Sequence, residues 1–483
     1  MTFPNDVLTE IRSGLSISER GLSLRQDQNT FPPTSEVLNC FFICLLLKFE
    51  FIWIKLVTFM NYPLLLASIT LSVCSLAPVA NSAVPPSVPP PVQARGAAEF
   101  LDSMGICAVI YDNATHESIV VPRLAELGIQ HLRVGLKKVG DNHRGNGQIM
   151  LNRVKELGEA GYKITGLWSC WYSMDDFLTI TEFLLPNSIY QAEGPNEPWN
   201  GHENFKWEGE KWPKGPALYM EDMHTALKSR ETTRNIPILS FSGTTSAYKS
   251  IEQWLDYGNE HIYSDNGESL TEKGQLQKLI ERCRATQYPT KPLQFTEAGY
   301  NSDPKGYRGT SIEVQARGVP RIFLETFKSG IVRTFIYGLI MKDDAGFSLL
   351  HPDGQPKPAF LAVKAMREIL KDTAVEGFTP GSLAFQVEAP VPSVHHLLLQ
   401  RSDGVFFLCL WNDIGGWDAK TKKDKRNPDQ SVQISFAKNP SKVSSYRPLT
   451  NGKDALETKT VMDQKMTVDV PDHPLILEIV PGS

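Results

Sequence analysis

The chain has 483 residues, with 49 Lys and Arg against 54 Asp and Glu, so its formal net charge is −5. This near-balance argues against a nucleic-acid binder, which usually has a basic face. Hydrophobic residues make up 41% of the chain, and its 23 Phe, 14 Tyr and 9 Trp argue against disorder as the dominant state. Seven Cys are too few for a fold held together by disulfides. The length predicts two or three domains.

The region before the first predicted domain has the features of a secretory leader. Residues 64–77 form an apolar run soon after Met60, and the small residues at 80–83 suit signal peptidase. We predict a signal peptide at 60–83, a Pro-rich linker at 84–96 and a secreted product.

The segment at 1–59 is then an upstream extension whose status the sequence leaves open. The alternative is a membrane-anchored form that uses the apolar stretch 40–77 as its anchor. Lys48, Glu50 and Lys55 interrupt this stretch. Charges within a spanning helix are costly, so we expect no stable membrane span after processing.

From residue 97 to residue 372, short apolar runs alternate with longer segments of helical period. The predicted strands are 105–111, 129–134, 162–168, 188–193, 236–241, 259–263, 293–296 and 334–337. The predicted helices are 117–127, 148–160, 173–185, 217–229, 248–255, 270–284, 312–328 and 358–370. Eight strand–helix units fit a (β/α)8 barrel, which takes about 250 residues. No Gly-rich phosphate loop follows the first strand, so we favour the barrel over an open doubly wound sheet.

Beyond residue 372 the helical period ends and short apolar runs follow one another. The predicted strands are 382–388, 395–401, 405–411, 432–437, 461–470 and 475–480. Short strands of this number in about 110 residues predict a β-sandwich at 376–483. The basic run 420–426 is predicted to be an exposed loop. We expect the sandwich to stabilise the barrel, with carbohydrate binding as the alternative.

Two glutamates directly follow predicted barrel strands. Glu197 lies just past the fourth strand and Glu297 just past the seventh. Because the carboxyl ends of barrel strands share one face, both carboxylates can reach one site although they are distant in sequence. Retaining glycoside hydrolysis needs one acid that protonates the leaving oxygen and one carboxylate that attacks the anomeric carbon. The alternative is that both glutamates are only polar turn residues.

The motifs at these positions resemble those of clan A retaining glycoside hydrolases, most closely glycoside hydrolase family 39 and its relatives. Asn-Glu-Pro at 196–198 and Thr-Glu at 296–297 carry the resemblance, which covers 97–372. It implies that Glu197 is the general acid/base and Glu297 the nucleophile. We expect no metal or organic cofactor, since no cluster of His, Cys or Asp in the sequence suggests one. The acid must hold its proton near neutral pH, so we expect the pKa of Glu197 to be raised, partly by the charge of Glu297.

The resemblance also implies residues around the two carboxylates. Arg133 and Tyr263, which end the second and sixth strands, would favour the ionised form of Glu297. Asn196 would donate to the sugar 2-hydroxyl. The other implied substrate-binding residues at strand ends are His261 and Tyr337. The alternatives are a barrel-floor salt bridge for Arg133 and a packed strand histidine for His261.

Aromatic residues gather at the same predicted face. Flat rings with a polar edge suit the CH-rich faces of sugars. We expect Trp168, after the third strand, and Trp199, after the fourth, to bind the substrate. The alternative is that such rings only cover the barrel rim.

The sequence as a whole predicts a secreted, monomeric retaining glycoside hydrolase with a carbohydrate substrate and no nucleic-acid partner. Two alternatives stay open. One is a carbohydrate-binding barrel that has lost catalysis, and the other is a transglycosylase that uses the same site. The sugar, its linkage and the choice between endo and exo cleavage also stay open.

Overall fold

The computed structural model describes residues 88–110, 115–143, 145–168, 171–200, 205–243, 251–373 and 375–482, together with two short strands nearer the amino terminus. The chain forms two compact units, Met1–Ala83 and Val84–Ser483. In the first unit only β1 (Ile17–Ser18) and β2 (Gly21–Leu22) are described, and they pair antiparallel. The predicted signal peptide lies outside the described residues. Within the described part of the chain, no helix is long and apolar enough to cross a bilayer.

The second unit opens with β3 (Pro91–Gln93), β4 (Arg95–Gly96) and the helix α1 (Ala97–Asp102). Eight parallel strands follow. They are β5 (Met104–Cys107), β6 (His131–Gly135), β7 (Lys163–Leu167), β8 (Gln191–Glu193), β9 (Ile238–Leu239), β10 (Gly258–Tyr263), β11 (Leu293–Gly299) and β12 (Arg333–Ile336).

The eight strands form a closed barrel. They pair in chain order from β5 to β9 and from β10 to β12, and β12 lies beside β5. A bridge between Leu239 of β9 and Tyr257, which directly precedes β10, closes the remaining gap. Parallel strands covered on both faces are mostly apolar, which explains why several of them form apolar runs in the sequence.

Helices surround the barrel on its outer side. They are α2 (Val121–Leu127), α3 (Gly147–Glu159), α4 (Met174–Leu184), α5 (Lys214–Lys228), α6 (Gln275–Ala285), α7 (Ile312–Lys328) and α8 (Pro358–Ile369). A π-helical turn, His116–Val120, leads into α2, and a 3-10 turn, Glu252–Trp254, precedes β10. The side chain of Ser311 caps α7 by accepting a hydrogen bond from the backbone N–H of Val314.

The carboxyl-terminal part is built from antiparallel strands. They are β13 (Ser382–Glu388), β14 (Val394–Gln400), β15 (Phe406–Asn412), β16 (Trp417–Asp418), β17 (Lys423–Asp424), β18 (Gln430–Phe436), β19 (Lys442–Tyr446), β20 (Glu457–Lys459), β21 (Lys465–Val470) and β22 (Leu475–Val480). A short helix, α9 (Pro448–Asn451), lies between β19 and β20. The exposed basic run 420–426 falls in the β16–β17 hairpin.

Two sheets make up the sandwich. One has the strand order β21-β18-β13-β3, and the other has the order β20-β19-β22-β15-β14-β4. Strands β3 and β4 lie in the segment that the sequence assigned to a linker, so the end of that segment is part of the sandwich. An apolar core fills the sandwich, with Phe385, Leu408 and Ile434 among its members. The predicted fold class, a (β/α)8 barrel followed by an all-β domain, is confirmed.

The sandwich packs on α7 of the barrel through buried polar contacts. Arg321 of α7 is 2% exposed and donates to the carbonyl oxygens of Asn412 and Ile414. The indole N–H of Trp411 donates to Oε1 of Glu325 at 2.6 Å. Apolar residues of β14, β15 and β22 belong to the same buried cluster as the barrel core. The two parts therefore share one continuous interior, as we expect of a sandwich that stabilises the barrel.

Candidate active site

The barrel brings six of the predicted site residues into one hydrogen-bonded cluster at the carboxyl ends of its strands. Four of them lie within β6, β10 and β11, and two lie in the turn that follows β8. The six are Arg133, His261, Tyr263, Glu297, Asn196 and Glu197. Residues that are up to 164 positions apart in sequence thus contact each other directly.

Glu297 is 7% exposed and is held from two sides. Nη1 of Arg133 donates to its Oε1 at 2.5 Å, and the hydroxyl of Tyr263 donates to its Oε2. Burial and the charge of Glu297 hold the pKa of Tyr263 well above its usual range, so Tyr263 is a neutral donor. Both carboxyl oxygens of Glu297 therefore accept hydrogen bonds, which is the bonding pattern of a carboxylate.

Arg133 is a buried cation between two glutamates. Burial alone would lower the pKa of its guanidinium, but the charges of Glu193 and Glu297 outweigh burial and hold that pKa well above its usual range. Its Nη2 also donates to Oδ1 of Asn196 at 2.8 Å. Among the described residues, this leaves the amide nitrogen of Asn196 to donate to a substrate hydroxyl.

An irregularity in β11 lets two consecutive side chains reach this cluster. Between Phe295 and Glu297, β11 advances two residues while β10 advances one, and β11 also has one extra residue relative to β12. Consecutive side chains of a regular strand point to opposite faces. The bulge removes this restriction, so that the side chains of Thr296 and Glu297 both reach the cluster.

Glu197 lies in a tight turn after β8. Its φ is +34°, in the left-handed region that few non-glycine residues adopt, and strain of this kind is concentrated at functional sites. Its backbone N–H donates to Oγ of Ser242 at 3.2 Å. Its Oε2 accepts from Nδ2 of Asn200 at 2.6 Å, and its Oε1 lies 2.8 Å from Nδ1 of His261. The Glu197 side chain is 21% exposed, so a substrate can contact it.

The two predicted catalytic carboxylates are close together. Nδ1 of His261 lies 2.8 Å from Oε1 of Glu197 and 3.4 Å from Oε2 of Glu297. One oxygen of each carboxylate and one ring nitrogen all lie within 4.8 Å of one another. Carboxyl groups are about 5–5.5 Å apart in retaining glycosidases and about 6.5–9.5 Å apart in inverting ones. The carboxylates of Glu197 and Glu297 are therefore close enough to act on the same glycosidic bond.

The neighbours of His261 fix the hydrogen on one ring nitrogen. Its Nε2 lies 3.1 Å from Oγ1 of Thr296, and that hydroxyl lies 2.9 Å from both Oε1 of Glu193 and Oδ1 of Asn259. The hydroxyl has one hydrogen, which it donates to one of these two acceptors, so it accepts from Nε2. Nδ1 therefore shares a second proton with Glu197.

The pKa of Glu197 is below its ordinary value, so the expectation of a raised pKa is wrong for the free site. Burial alone would raise this pKa, but the hydrogen bond and charge of His261 and the hydrogen bond from Asn200 outweigh burial. Burial alone would lower the pKa of His261, but the charge of Glu297 and the hydrogen bond with Glu197 raise it. In the free site the shared proton therefore lies on His261.

Tyr337 directly follows β12 and lies beside Tyr263. The two rings meet edge to face with centroids 6.3 Å apart, and both also contact Phe347 edge to face. The Tyr337 hydroxyl donates to Oδ2 of Asp344 at 2.8 Å. Tyr337 therefore lies next to the Tyr263 side of the cluster and, among the described residues, makes no hydrogen bond to either of the two glutamates predicted to be catalytic.

Trp168 does not lie where it could bind the substrate, although its place after the third strand predicts this role. It is 1% exposed, and its ring packs edge to face against Phe177 of α4 with centroids 4.2 Å apart. Trp168 therefore belongs to the core, and a sugar cannot stack on it in this geometry. The prediction that Trp168 binds the substrate is therefore wrong. Its apolar contact with α4 holds the ring in the core.

Trp199 has the exposed ring that a sugar platform needs. It is 52% exposed. Its ring lies against Gly243, where a Cβ atom would come within 2.4 Å of Cδ1 of Trp199. Gly243 directly follows Ser242, whose hydroxyl binds the backbone of Glu197. Trp199 is therefore adjacent to the predicted acid both along the chain and in space.

Glu193 is a residue of this site that sequence reasoning missed. It is fully buried at the end of β8, and Nε of Arg133 donates to its Oε2 at 2.7 Å. Its Oε1 accepts from Nη2 of Arg133 at 2.9 Å and from Nδ2 of Asn259 at 3.1 Å. A glutamate that ends a buried strand needs a paired cation, and this was the signal available in the sequence.

Two groups of His and acidic side chains each bring three potential metal ligands within 4.8 Å of one another. Among the described residues these groups are Glu197, His261 and Glu297, and Glu325, His395 and Asp413. A guanidinium is already paired with each group, since Arg133 binds Glu297 and Nη1 of Arg321 lies 3.4 Å from Asp413. A fixed cation beside a carboxylate opposes the binding of a second cation. The arrangement therefore suits acid–base chemistry better than metal binding.

Comparisons with known proteins show the fold. No family model and no curated protein sequence matches the chain. Among solved structures, CelM2, a bifunctional glucanase-xylanase from a metagenome library, is similar with a TM-score of 0.52 and 12% identity. That match covers 81% of this chain and 97% of CelM2. A GH30 endoxylanase from Clostridium papyrosolvens C71 has a TM-score of 0.49 and 11% identity, over 82% of this chain and 98% of its own. At such identities the likeness to CelM2 shows a shared architecture alone.

Proposed function

We propose that this protein is a clan A retaining glycoside hydrolase, which cleaves the O-glycosidic bonds of an oligo- or polysaccharide by double displacement. One observation carries the proposal: carboxylate oxygens of Glu197 and Glu297 lie within 4.8 Å at the carboxyl face of a barrel. Retaining glycosidases hold their two carboxyl groups about 5–5.5 Å apart, and the close approach of these oxygens supports that class. The shared architecture with CelM2, which is described as a glucanase-xylanase, supports the same proposal.

In the first step Glu297 attacks the anomeric carbon while the bond to the leaving oxygen breaks. Glu197 delivers the proton that it shares with His261 to that oxygen, so the leaving group departs as a neutral alcohol. Arg133 and Tyr263 orient the Glu297 carboxylate for the attack. The product of this step is a glycosyl ester of Glu297.

In the second step Glu197 acts as the base. A water molecule attacks the anomeric carbon, the ester bond to Glu297 breaks, and the proton of the water passes to the Glu197–His261 pair. Asn196 donates to the sugar 2-hydroxyl in both steps, a contact that strengthens in the transition state. The pair regains the proton that it lost in the first step, so the site is ready for another turnover.

Several finer points of the proposal rest on the sequence alone. They are membership of family 39, secretion through the predicted signal peptide at 60–83, and a monomeric state. The substrate class is a carbohydrate, and the proposal includes no nucleic-acid partner.

The proposal is tested by incubating the protein with a panel of aryl glycosides and polysaccharides and measuring released reducing sugar. We expect at least one substrate class to be hydrolysed by the unmodified protein and not by the Glu297→Gln variant. Calorimetric binding of a glycan with no release of sugar by either protein would instead identify a carbohydrate-binding barrel.

Trp199→Ala is expected to weaken catalysis selectively for substrates with a long leaving group. The acid donates to the leaving oxygen, so a sugar on that side of the bond lies beside Glu197 and next to Trp199. Loss of a ring contact of about 0.5–1.5 kcal/mol corresponds to roughly a 2- to 12-fold lower kcat/KM. Steady-state kinetics on oligosaccharides measure this effect.

A glycosyl fluoride is the matched control substrate for Trp199→Ala, because its one-atom leaving group cannot reach the ring. Its kcat/KM is expected to stay unchanged. Phe183→Ala, which truncates a partly exposed ring on the outer helix α4, is the control variant. Equal losses for the fluoride and the oligosaccharide would contradict a leaving-group contact at Trp199.

His261→Asn is expected to move the basic limb of the pH profile of kcat/KM to lower pH by roughly two units. The acid step needs the shared proton, which the free protein loses as pH rises through the raised pKa of His261. Without the imidazole, Glu197 holds the proton alone, and an ordinary Glu loses it about two units below an ordinary His. Initial rates between about pH 4 and pH 9 measure the limb.

The control for His261→Asn is His224→Asn, which changes a histidine on the outer helix α5. The basic limb of the kcat/KM profile of that variant should lie at the same pH as in the unmodified protein. A basic limb that does not move in His261→Asn would show that the proton is held elsewhere.

A further inference from the structure

We infer that Glu193 is a positioning residue that holds both catalytic carboxylates in place at once. The inference rests on the proposed hydrolase function and adds a residue that contacts neither the substrate nor the reacting atoms. Glu193 lies at the end of β8, fully buried, four residues before Glu197. Each of its oxygens accepts at least one hydrogen bond from a named side chain.

The first branch runs from Glu193 through Arg133 to Glu297. Two nitrogens of the guanidinium, Nε and Nη2, donate to the two oxygens of Glu193 at 2.7 and 2.9 Å. A bidentate pair of this kind fixes the plane of the guanidinium. With the plane fixed, Nη1 points at Oε1 of Glu297 and Nη2 reaches Asn196. Glu193 thereby sets the orientation of the nucleophile.

The second branch runs from Glu193 through Thr296 and His261 to Glu197. Oγ1 of Thr296 lies 2.9 Å from Oε1 of Glu193 and 3.1 Å from Nε2 of His261. The acceptor beneath Thr296 directs its hydroxyl hydrogen away from His261, so Nε2 keeps its own hydrogen. Nδ1 is then the nitrogen that shares a proton with Glu197. Glu193 thereby helps to set where the acid's proton lies.

Glu193 also balances charge beneath the site. Its carboxylate faces the same guanidinium as Glu297, so part of the positive charge of Arg133 is neutralised before it acts on the nucleophile. Removing the charge of Glu193 would leave Arg133 with one fewer anionic partner in the buried cluster. The titratable and charged groups that face Glu297 or Glu193 from the surrounding strands and turns are Arg133, Cys107, Glu197, His261, Tyr263 and Tyr337.

Glu193→Gln tests the inference with the full-length protein. Gln has nearly the same shape but replaces one acceptor oxygen by a donor, which opposes the N–H groups of Arg133. We expect kcat to fall about 100-fold, as a misplacement of about 1 Å can cause, with KM changed less than about threefold. The basic limb of the kcat/KM profile should move to lower pH, because the hydrogen bond that Thr296 accepts from His261 is weakened and the raised pKa of His261 falls.

Glu193→Asp separates charge from position. It keeps the negative charge but withdraws it by one methylene, so the bidentate contact to Arg133 is lost. We expect kcat to fall while the basic limb stays close to that of the unmodified protein, because the negative charge beneath Thr296 is kept. A loss of kcat in both variants with a limb shift in Glu193→Gln alone is the signature of the proposed role.

Gln191→Leu is the matched control, two residues earlier on the same strand. Gln191 is also fully buried and exchanges amide hydrogen bonds with Gln294. Its loss leaves a buried amide unpaired and should lower the melting temperature without moving either pH limb. If Glu193→Gln behaves like this control, with a lower melting temperature but unchanged kcat and limbs, Glu193 is only structural and the inference is overturned.

If neither Glu193 variant folds, Thr296→Val tests the inference instead. Val has nearly the shape of Thr but no hydroxyl, so this change breaks only the second branch. We expect it to lower kcat and to move the basic limb to lower pH, and an unchanged profile would overturn the inference.

Failure of the proposed function looks different, since the unmodified protein would then hydrolyse no member of the glycan panel. Failure of this inference leaves both the unmodified protein and Glu193→Gln fully active.

Discussion

Glu297→Gln is expected to lower kcat by about 10⁴-fold or more while the protein still folds and binds its glycan. Loss of a nucleophile that acts with an acid and an orienting group falls in this range. Gln keeps the shape and can still accept one hydrogen bond from Arg133 or Tyr263, so the site is expected to stay assembled. Steady-state kinetics and calorimetric titration with the glycan measure the two effects separately.

The matched control is Glu260→Gln, the same chemical change at a buried glutamate of the neighbouring strand β10. It should leave kcat within a few-fold of the unmodified protein. A 2-deoxy-2-fluoro glycoside of the active substrate should label Glu297, as read by mass spectrometry of the digested protein. A label on another residue, or a Glu297→Gln variant that keeps more than a few per cent of activity, would contradict the assignment.

Glu197→Ala is expected to slow the hydrolysis of substrates with poor leaving groups much more than that of activated substrates. An alcohol needs the proton of Glu197, so kcat/KM for unactivated oligosaccharides should fall about 10²- to 10⁴-fold. A dinitrophenolate leaves without a proton, so kcat/KM for its glycoside should change less than about tenfold. Hydrolysis of the glycosyl ester still needs a base, so kcat and KM for the activated substrate should fall together.

Azide provides the check on Glu197→Ala, since this anionic nucleophile can attack the glycosyl ester in place of water without help from a base. It should restore kcat and form a glycosyl azide of retained configuration. Glu208→Ala, which removes an exposed glutamate from the connection between β8 and α5, is the control and should stay within about twofold of the unmodified protein. Equal losses for both leaving groups, with no azide product, would show that Glu197 does not supply the proton.

The barrel was predictable from the sequence because its signals are local. The helix predicted at 312–328 coincides with α7, where a capping Ser311 precedes an apolar stripe of helical period. Strands β19 and β20 were missed, since both are short and largely polar, and pairing with the sheet holds them in place. Of the helix predicted at 248–255, the structure describes residues 251–255, which contain only the 3-10 turn Glu252–Trp254.

The site residues that a motif places at a strand end were predictable from the sequence. The residues whose positions depend on burial or on strand register were not. Both glutamates lie next to turns that the sequence displays, and the structure brings them together. The position of Trp168 depends on its contact with α4, which no local sequence pattern predicts. Likewise the bulge in β11 and the pairing of Glu193 with Arg133 exist only once the strands are side by side.

The configuration of the first product tests the central claim most directly. Once the panel has identified a substrate of defined anomeric configuration, proton NMR can follow the anomeric signal of the released sugar before mutarotation. Two displacements at one carbon, through Glu297 and then water, predict that the new hemiacetal has the configuration of the substrate. An initial product of opposite configuration would contradict an attack by Glu297.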